Sequence, residues 1–248
     1  MASNTKHPLQ TNYEKAFVKK INSLCYQQQL WQVWSDFVTA VAIGLANSVD
    51  ICGKVHERRE KEYQECCKRL GGNDNIGELF GYLVQALEEN PEQDFLGGLY
   101  MNLDLGSHWH GQFFTPYSIC QAMADVNIGD SPKRKEDGFI SIIDPACGAG
   151  ATLIAAANKL KQSGINYQIE TLFIGQDIDR IVGLMCYIQL SLLGCAGYVA
   201  IANSLTNPVK GADVLIPAPN SEQEIWYTPM FASEIWTARR LKKAFTIL

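Results

Sequence analysis

Apolar residues recur at helical spacing through the first third of the chain. The pattern predicts helices over residues 12–25, 30–45, 58–69 and 76–87, with a shorter one over 93–101 after Pro91. Gly71 and Gly72 follow the third of these runs and form a helix stop signal. No strand pattern interrupts the segment, so we predict an all-helical N-terminal domain over residues 1–105, which would serve as a lid or as a docking surface for a protein partner.

A different pattern begins near residue 138, where short apolar runs alternate with helical ones. Residues 139–143 are typical of a buried strand, because aromatic and β-branched side chains fill a run of strand length. A helix to about residue 162, a strand over 171–176, a helix over 179–193 and a strand over 198–202 are predicted to follow. Such alternation is typical of a parallel α/β sheet, which we assign to a domain over residues 106–248.

The turn after the first predicted strand carries candidate chemistry in the sequence DPACGAGATL, residues 144–153. Gly148 and Gly150 let the backbone turn tightly and approach a ligand closely. No lysine follows the glycines as in a phosphate-binding P-loop, and the third small residue of a dinucleotide fingerprint is missing. A glycine turn in an ordinary α/β protein, without a ligand, is the plain alternative.

Two acids favour a particular kind of ligand. Asp144 ends the first predicted strand and Asp177 ends the second, so both fall at the strands' carboxyl ends, where ligands bind on parallel sheets. Asp177 could accept both hydroxyls of a ribose. An acid in the first turn suits a cationic group better than a pyrophosphate, which it would repel. A nucleoside that carries an amino acid, such as S-adenosylmethionine, fits this pattern.

The composition indicates a globular protein and gives no sign of a membrane-spanning one. The 248 residues are 47% hydrophobic and 19% charged, enough for a substantial core in one or two domains. The net charge of -5 does not by itself indicate a nucleic-acid partner, and the basic clusters at 133–135 and 239–243 are more typical of solvated faces. No apolar run reaches the roughly 18 to 20 residues that span a bilayer, and the N-terminus has no apolar signal core. These features predict a soluble cytoplasmic protein.

The cysteines and histidines do not form a recognisable metal motif. The eight cysteines are scattered among helix-like apolar positions, and only Cys66 and Cys67 are close in sequence. Free buried thiols are therefore expected. His108 and His110 flank Trp109 without a third ligand nearby, so we predict loop residues and no metal site.

Four ordered motifs carry a family resemblance. GQFFTP at residues 111–116 is followed by DPACGAGATL, by FIGQDID at 173–179 and by ANSL at 202–205. The set resembles the N6-adenine DNA methyltransferases, in particular the modification (methylase) subunits of type I restriction-modification systems. The resemblance covers roughly residues 94–205. It implies S-adenosylmethionine as cofactor and a Rossmann-like methyltransferase sheet preceded by a helical domain.

The resemblance also assigns cofactor-binding residues in the first two motifs. Phe113, Phe114 and Thr115 look like the segment that closes over the methionine end of S-adenosylmethionine. Thr115 is also placed to cap the helix that begins near Pro116. The residues that resemble the cradle for the amino acid and ribose are Asp144, Ala146, Gly148 and Gly150.

The remaining cofactor residues follow the second and third strands. Asp177 corresponds to the acid that holds the ribose hydroxyls, and Ile178 would pack on the adenine ring. Asn203 stands where an Asp or Asn commonly meets the adenine amino group. With the earlier motifs, these residues complete the implied cofactor site.

The sequence departs from the family where methyl transfer takes place. These enzymes carry an Asn-Pro-Pro-aromatic turn after a fourth strand, which holds the flipped target base. Here the expected fourth strand, residues 212–216, runs into Pro217, and no Asn-Pro-Pro occurs in the sequence. Asn207 before Pro208 keeps two letters of that turn and is the one candidate for the catalytic amide, although no strand separates it from Asn203.

The last segment and the missing turn leave two functions open. Residues 224–248 read as an amphipathic helix that covers the sheet edge or docks on a partner, and only 43 residues follow Leu205. The chain is thus expected to be truncated after the third strand motif. It is either a DNA adenine methyltransferase completed by a partner subunit, or an inactive relative that binds the cofactor as a regulatory or assembly module.

Overall fold

The N-terminal part of the molecule is helical, as its periodicity predicts. The computed structural model describes residues 11–26, 28–108, 114–129, 132 and 138–247. The helices of this part are α1 (Asn12–Leu24), α2 (Leu30–Asn47), α3 (Lys54–Arg69), α4 (Asn73–Glu89) and α5 (Phe95–Asn102), followed by a 3-10 turn at Leu105–His108. Throughout the described ranges, no helix combines the length and apolar character needed to cross a membrane.

Aromatic side chains hold these helices together. Phe17 of α1 makes edge contacts with Trp34, Phe37 and Phe95, with ring centroids 5.2 to 6.0 Å apart. All four rings are fully buried, and the hydrophobic cluster that contains them continues into residues of the sheet and its helices, including Trp226. The helical part and the sheet therefore share a core. The domain division at residue 105 stays a prediction.

A parallel sheet forms the second part of the molecule. Its elements are α6 (Tyr117–Ile128), β1 (Ile140–Asp144), α7 (Ala151–Gln162), α8 (Tyr167–Glu170), β2 (Thr171–Asp177), α9 (Arg180–Leu192) and β3 (Ala196–Ile201). β2 lies between β1 and β3 and pairs with both in parallel, with Asp144 opposite Gly175 and Asp177 opposite Ile201. The predicted α/β fold with a preceding helical segment is confirmed.

The last segment begins as a strand, so the helix predicted from residue 224 is wrong in its first half. β6 (Glu224–Tyr227) pairs with β3 in the antiparallel sense, and helix α10 starts only at Glu234 and ends at Ile247. Trp226 is fully buried, with its ring centroid 5.4 Å from that of Tyr187, while Ile225 packs on the opposite face of the sheet. Ile225 and Trp226 are adjacent apolar residues that lie on opposite faces of the strand, and the pattern of so short an apolar run does not distinguish a strand from a helix.

The predicted fourth strand does not join this sheet. β4 (Gly211–Asp213) and β5 (Ile216–Pro217) pair with each other in a small separate hairpin. Gly211 and Pro217 occupy that pairing, and Pro217 has no N–H to donate to a ladder. The prediction of a fourth parallel strand over residues 212–216 is therefore wrong.

β1 lies at the edge of the sheet rather than in its interior. Within the described ranges, β2 is its only hydrogen-bonded neighbour, and Ile143 is 56% exposed. A cavity of about 580 Å³ runs along β1, between it and helices α6 and α7. The expectation of a buried strand is thus wrong for β1. A strand is buried only when other elements lie on both sides of it, and the apolar pattern of a strand does not indicate which elements those are.

Candidate functional site

The glycine turn is held by the carboxylate that precedes it. Asp144 ends β1, and its Oδ1 accepts a hydrogen bond from the Ala146 N–H at 3.0 Å. Its Oδ2 accepts one from the Thr152 hydroxyl in the first turn of α7. The Gly150 N–H donates to the Cys147 carbonyl at 2.8 Å. These bonds fix the path of the backbone from the strand into the helix.

Two positions of the turn require glycine. Gly148 has a φ of +56° and Gly150 a φ of +100°, a region that side chains with a Cβ rarely adopt. A Cβ at Gly150 would also lie 2.9 Å from the sulfur of Cys186 in α9. The turn therefore packs closely on α9 behind it, which leaves its other side open to the cavity in front.

Asp177 at the end of β2 is joined directly to this turn. Its Oδ2 accepts a hydrogen bond from the Gly148 N–H at 2.9 Å, and its Oδ1 accepts one from the Asp179 N–H at 2.9 Å. Burial raises the pKa of Asp177 above its ordinary value, although these backbone hydrogen bonds act to lower it. The next residue, Ile178, is 66% exposed and presents an apolar side chain beside the carboxylate.

A cavity of about 90 Å³ lies against the glycine turn. Phe114 and Thr115 line it together with residues of the turn, and the Phe114 ring stacks on Tyr100 at 5.3 Å between centroids. Helix α6 begins after Pro116 without a side-chain cap, so the capping role predicted for Thr115 is wrong; Pro116 itself holds the extended conformation before the helix. Phe113 lies outside the described residues.

The predicted cofactor residues that the structure describes lie at four positions. The residues that line the small cavity are Phe114, Thr115, Asp144, Ala146 and Gly148. Gly150 lies behind the turn against Cys186, whereas Asp177 touches the turn through Gly148 and carries Ile178 beside it. Asn203 follows β3, two positions beyond the pairing of Asp177 with Ile201, at the same edge of the sheet.

Both asparagines after β3 use their side-chain oxygens in local structure. The Oδ1 of Asn203 accepts hydrogen bonds from the N–H groups of Leu205 and Thr206. The Oδ1 of Asn207 accepts from the side-chain amides of Asn220 at 2.8 Å and Gln223 at 3.0 Å. The carboxamide oxygen that a catalytic role would require at Asn207 is therefore already engaged.

The site contains two side chains that the motifs did not indicate, Asp94 of the helical segment and Gln189 of α9. Gln189 of α9 is fully buried, and its Nε2 donates to Asp94 Oδ1 at 2.7 Å and to the Ala149 carbonyl at 2.9 Å. Its Oε1 accepts from the Leu96 N–H, so Gln189 ties the start of α5 to the glycine turn. A lone glutamine among the apolar residues of α9 is the only sequence signal for this link.

The site is acidic and suits a ligand with a positive charge. Asp94 and Asp144 line the small cavity, and no lysine or arginine is among its described lining residues. A cation near these carboxylates would be attracted, whereas a phosphate would be repelled. The exposed Ile178 beside Asp177 adds an apolar contact suited to a flat ring.

Comparison with known proteins agrees with the motifs. Residues 99–246 match the family model of the N-6 DNA methylases. The type I restriction enzyme MjaIX methylase subunit of Methanocaldococcus jannaschii is 30% identical over 132 residues, which are 53% of this chain and 21% of that protein. The MjaVII methylase subunit of the same organism is 31% identical over 101 residues, 40% of this chain and 16% of that protein.

The chain thus spans about a fifth of the length of these curated relatives. A crystal structure of the type I restriction-modification system methyltransferase subunit from Streptococcus thermophilus aligns with a TM-score of 0.43 at 11% identity, over 78% of this chain and 58% of that one. The family model covers more than half of the chain, in the region that holds the glycine turn and both acids. The chain therefore belongs to the N-6 DNA methylase family.

Proposed function

We propose that this protein binds S-adenosylmethionine at the carboxyl ends of β1, β2 and β3. The hydrogen bond from the Gly148 N–H to Asp177 is the observation that carries the proposal, because it brings the glycine turn and the second acid to one point. The methionine end would lie in the small cavity beside Asp144 and Phe114. The ribose hydroxyls would donate to Asp177, and the adenine ring would pack on Ile178.

We further propose that the chain serves DNA adenine-N6 methylation of the restriction-modification type in the cytoplasm. The bound sulfonium would supply the methyl group, so the protein has to orient the donor and the target amine rather than move protons. In this proposal, Asp144, Asp177 and Ile178 would orient the donor. We assign DNA recognition and the target-base turn to a partner subunit, since Asn207 is engaged by Asn220 and Gln223.

The same observation on Asn207 supports a second candidate function. A protein that keeps the cofactor pocket but has no free amide for the target amine would act as a cofactor-binding regulatory or assembly module. The two candidates differ in one respect, namely whether adenine in DNA is methylated when a partner is present. Cofactor binding is common to both.

Cofactor binding is the first expected result. Isothermal titration of the purified protein should give micromolar dissociation constants for S-adenosylmethionine and for S-adenosylhomocysteine, because both carry the ammonium, ribose and adenine groups that the site accommodates. ATP serves as the control ligand, since its phosphates would face Asp144 and Asp94 and be repelled. Absence of heat with both S-adenosyl compounds would overturn the proposal and leave the glycine turn as a purely structural feature.

Methylation by the chain alone is expected to be undetectable. The measurement is transfer of tritium from methyl-labelled S-adenosylmethionine to adenine in DNA, made on the isolated protein and again with candidate partner subunits. No incorporation is expected without a partner, because the Asn207 oxygen already accepts two hydrogen bonds. Incorporation by the protein alone that disappears in Asn207→Ala would contradict this reading and make Asn207 the catalytic amide.

A further inference from the structure

The cavity at the glycine turn is lined by a carboxylate from the helical segment as well as by Asp144. We propose that Asp94 binds the α-ammonium group of the cofactor, opposite Asp144. This inference rests on the proposed function and assigns one more binding residue to that site. It also gives the helical segment a direct part in cofactor recognition.

The hydrogen bonds of Asp94 leave part of its carboxylate available. Its Oδ1 accepts the Gly97 N–H at 2.9 Å, which caps α5, and the Gln189 side-chain amide at 2.7 Å. From the part of the chain that the structure describes, no hydrogen bond reaches Oδ2. Asp94 lines the cavity, and its Oδ2 lies beside Gly97 of α5. A carboxylate oxygen without a donor is suited to receive one from a ligand.

Asp94 and Asp144 approach the same cavity from different elements of the fold. Both line it, and Asp94 is held at the start of α5 whereas Asp144 ends β1. Cys120 lines the same cavity, and burial together with the negative charges of Asp94 and Asp144 raises the pKa of its thiol to about 11. The small cavity is therefore lined by two carboxylates.

The size and charge of the cavity match an ammonium group. Its volume of about 90 Å³ accommodates the amino-acid end of the cofactor but not the nucleoside. An ammonium has three N–H donors, which would pair with Asp94 Oδ2 and with the remaining lone pairs of the Asp144 oxygens, each of which already accepts one hydrogen bond. Burial also raises the pKa of Asp94, although the hydrogen bonds from Gln189 and Gly97 act to lower it. A bound ammonium would favour the charged form of this carboxylate.

The test compares Asp94→Asn with the wild type on three ligands. Asparagine keeps an oxygen for Gly97 and Gln189 and is a good helix cap, so the variant removes the charge with little change in shape. The ligands are S-adenosylmethionine, S-adenosylhomocysteine and 5′-methylthioadenosine; only the first two carry the ammonium. Asp74→Asn, the same change at an exposed position in the first turn of α4, is the matched control.

We expect Asp94→Asn to weaken both ammonium-bearing ligands roughly 10- to 100-fold in isothermal titration, as for loss of a charge-assisted hydrogen bond, and to leave 5′-methylthioadenosine unchanged. Asp74→Asn should change none of the three. Equal loss for all three ligands would mean that Asp94 acts only on the fold, and loss for S-adenosylmethionine alone would place it at the sulfonium; either result overturns the inference, as does no loss at all.

The two proposals fail in different ways. If the wild-type protein binds none of the three ligands, the proposed function itself is overturned and the assignment of Asp94 falls with it. If the wild type binds all three and the variant matches it, only the assignment of Asp94 is wrong. Thermal melting of both variants identifies any loss of affinity that comes from unfolding.

Discussion

Asp177→Ala is expected to lower the affinity for S-adenosylmethionine about 100-fold, the largest effect that we predict at the site. The substitution would remove the acceptor of both ribose hydroxyls, and hydrogen bonds to a charged group contribute about 1.5–3 kcal/mol each. It would also leave the Gly148 N–H, now 2.9 Å from Asp177 Oδ2, without its acceptor and so loosen the glycine turn. Isothermal titration measures the effect.

Asp177→Asn separates these two contributions. Asparagine still offers an oxygen to one backbone N–H, so the turn should keep its shape while the negative charge is lost, and we expect an intermediate affinity. Because Asp177 contacts the nucleoside, 5′-methylthioadenosine should be weakened as much as the full cofactor, in contrast to the expectation for Asp94. An unchanged affinity in Asp177→Ala would show that the ribose assignment is wrong.

Gly197→Ala is expected to destabilise the fold by about 4 kcal/mol or more, the exceptional range for a single substitution. A Cβ at this position of β3 would lie 1.7 Å from the carbonyl oxygen of Phe173 and 2.7 Å from its carbonyl carbon. These are backbone atoms of the paired residue on β2, so the clash cannot be relieved by a rotamer change. The two strands would have to separate. Urea denaturation followed by circular dichroism measures the loss.

Gly77→Ala provides the matched control for that experiment. Gly77 lies inside α4, and a Cβ there would meet no atom within 4 Å. Alanine should therefore raise the free energy of unfolding by about 0.5–1 kcal/mol, because glycine in a helix interior loses more conformational freedom on folding. Equal effects of the two substitutions would contradict the packing described for β2 and β3.

The sequence pattern predicts a helix or strand correctly when the element's own residues determine which side chains are buried. The helical patterns before residue 90 are confirmed: α1 buries one stripe, which contains Phe17 and Ile21, whereas α2 is apolar along its length and is buried on most sides. The predictions from local patterns fail where the burial of a residue depends on which other element lies beside it. The pattern indicates that Trp226 is buried, but a strand that packs against Tyr187 buries this side chain as well as a helix would. The exposure of Ile143 depends on the absence of a described strand beside β1, which its own sequence does not record.

Some residues of the candidate site could likewise be predicted from the sequence, and others could not. Asp144 and Asp177 could be found from the sequence because each stands next to a strand and a glycine turn in a short motif. Asp94 could not, since its contact with Gln189 joins positions 95 apart and neither residue belongs to a motif. The engagement of Asn207 by Asn220 likewise depends on the hairpin of β4 and β5, which replaced the predicted fourth strand.

The position of β1 at the edge of the described sheet bears on how the protein behaves in solution. An edge strand offers a row of N–H and C=O groups that can pair with an extended segment of another molecule, and native proteins usually protect such edges with charges, proline or a bulge. Ile142 and Ile143 carry neither a charge nor a proline, and Ile143 is largely exposed. In concentrated solution this exposed apolar side chain is therefore expected to promote self-association of the protein. A lysine in place of Ile143 would act as a gatekeeper and raise solubility.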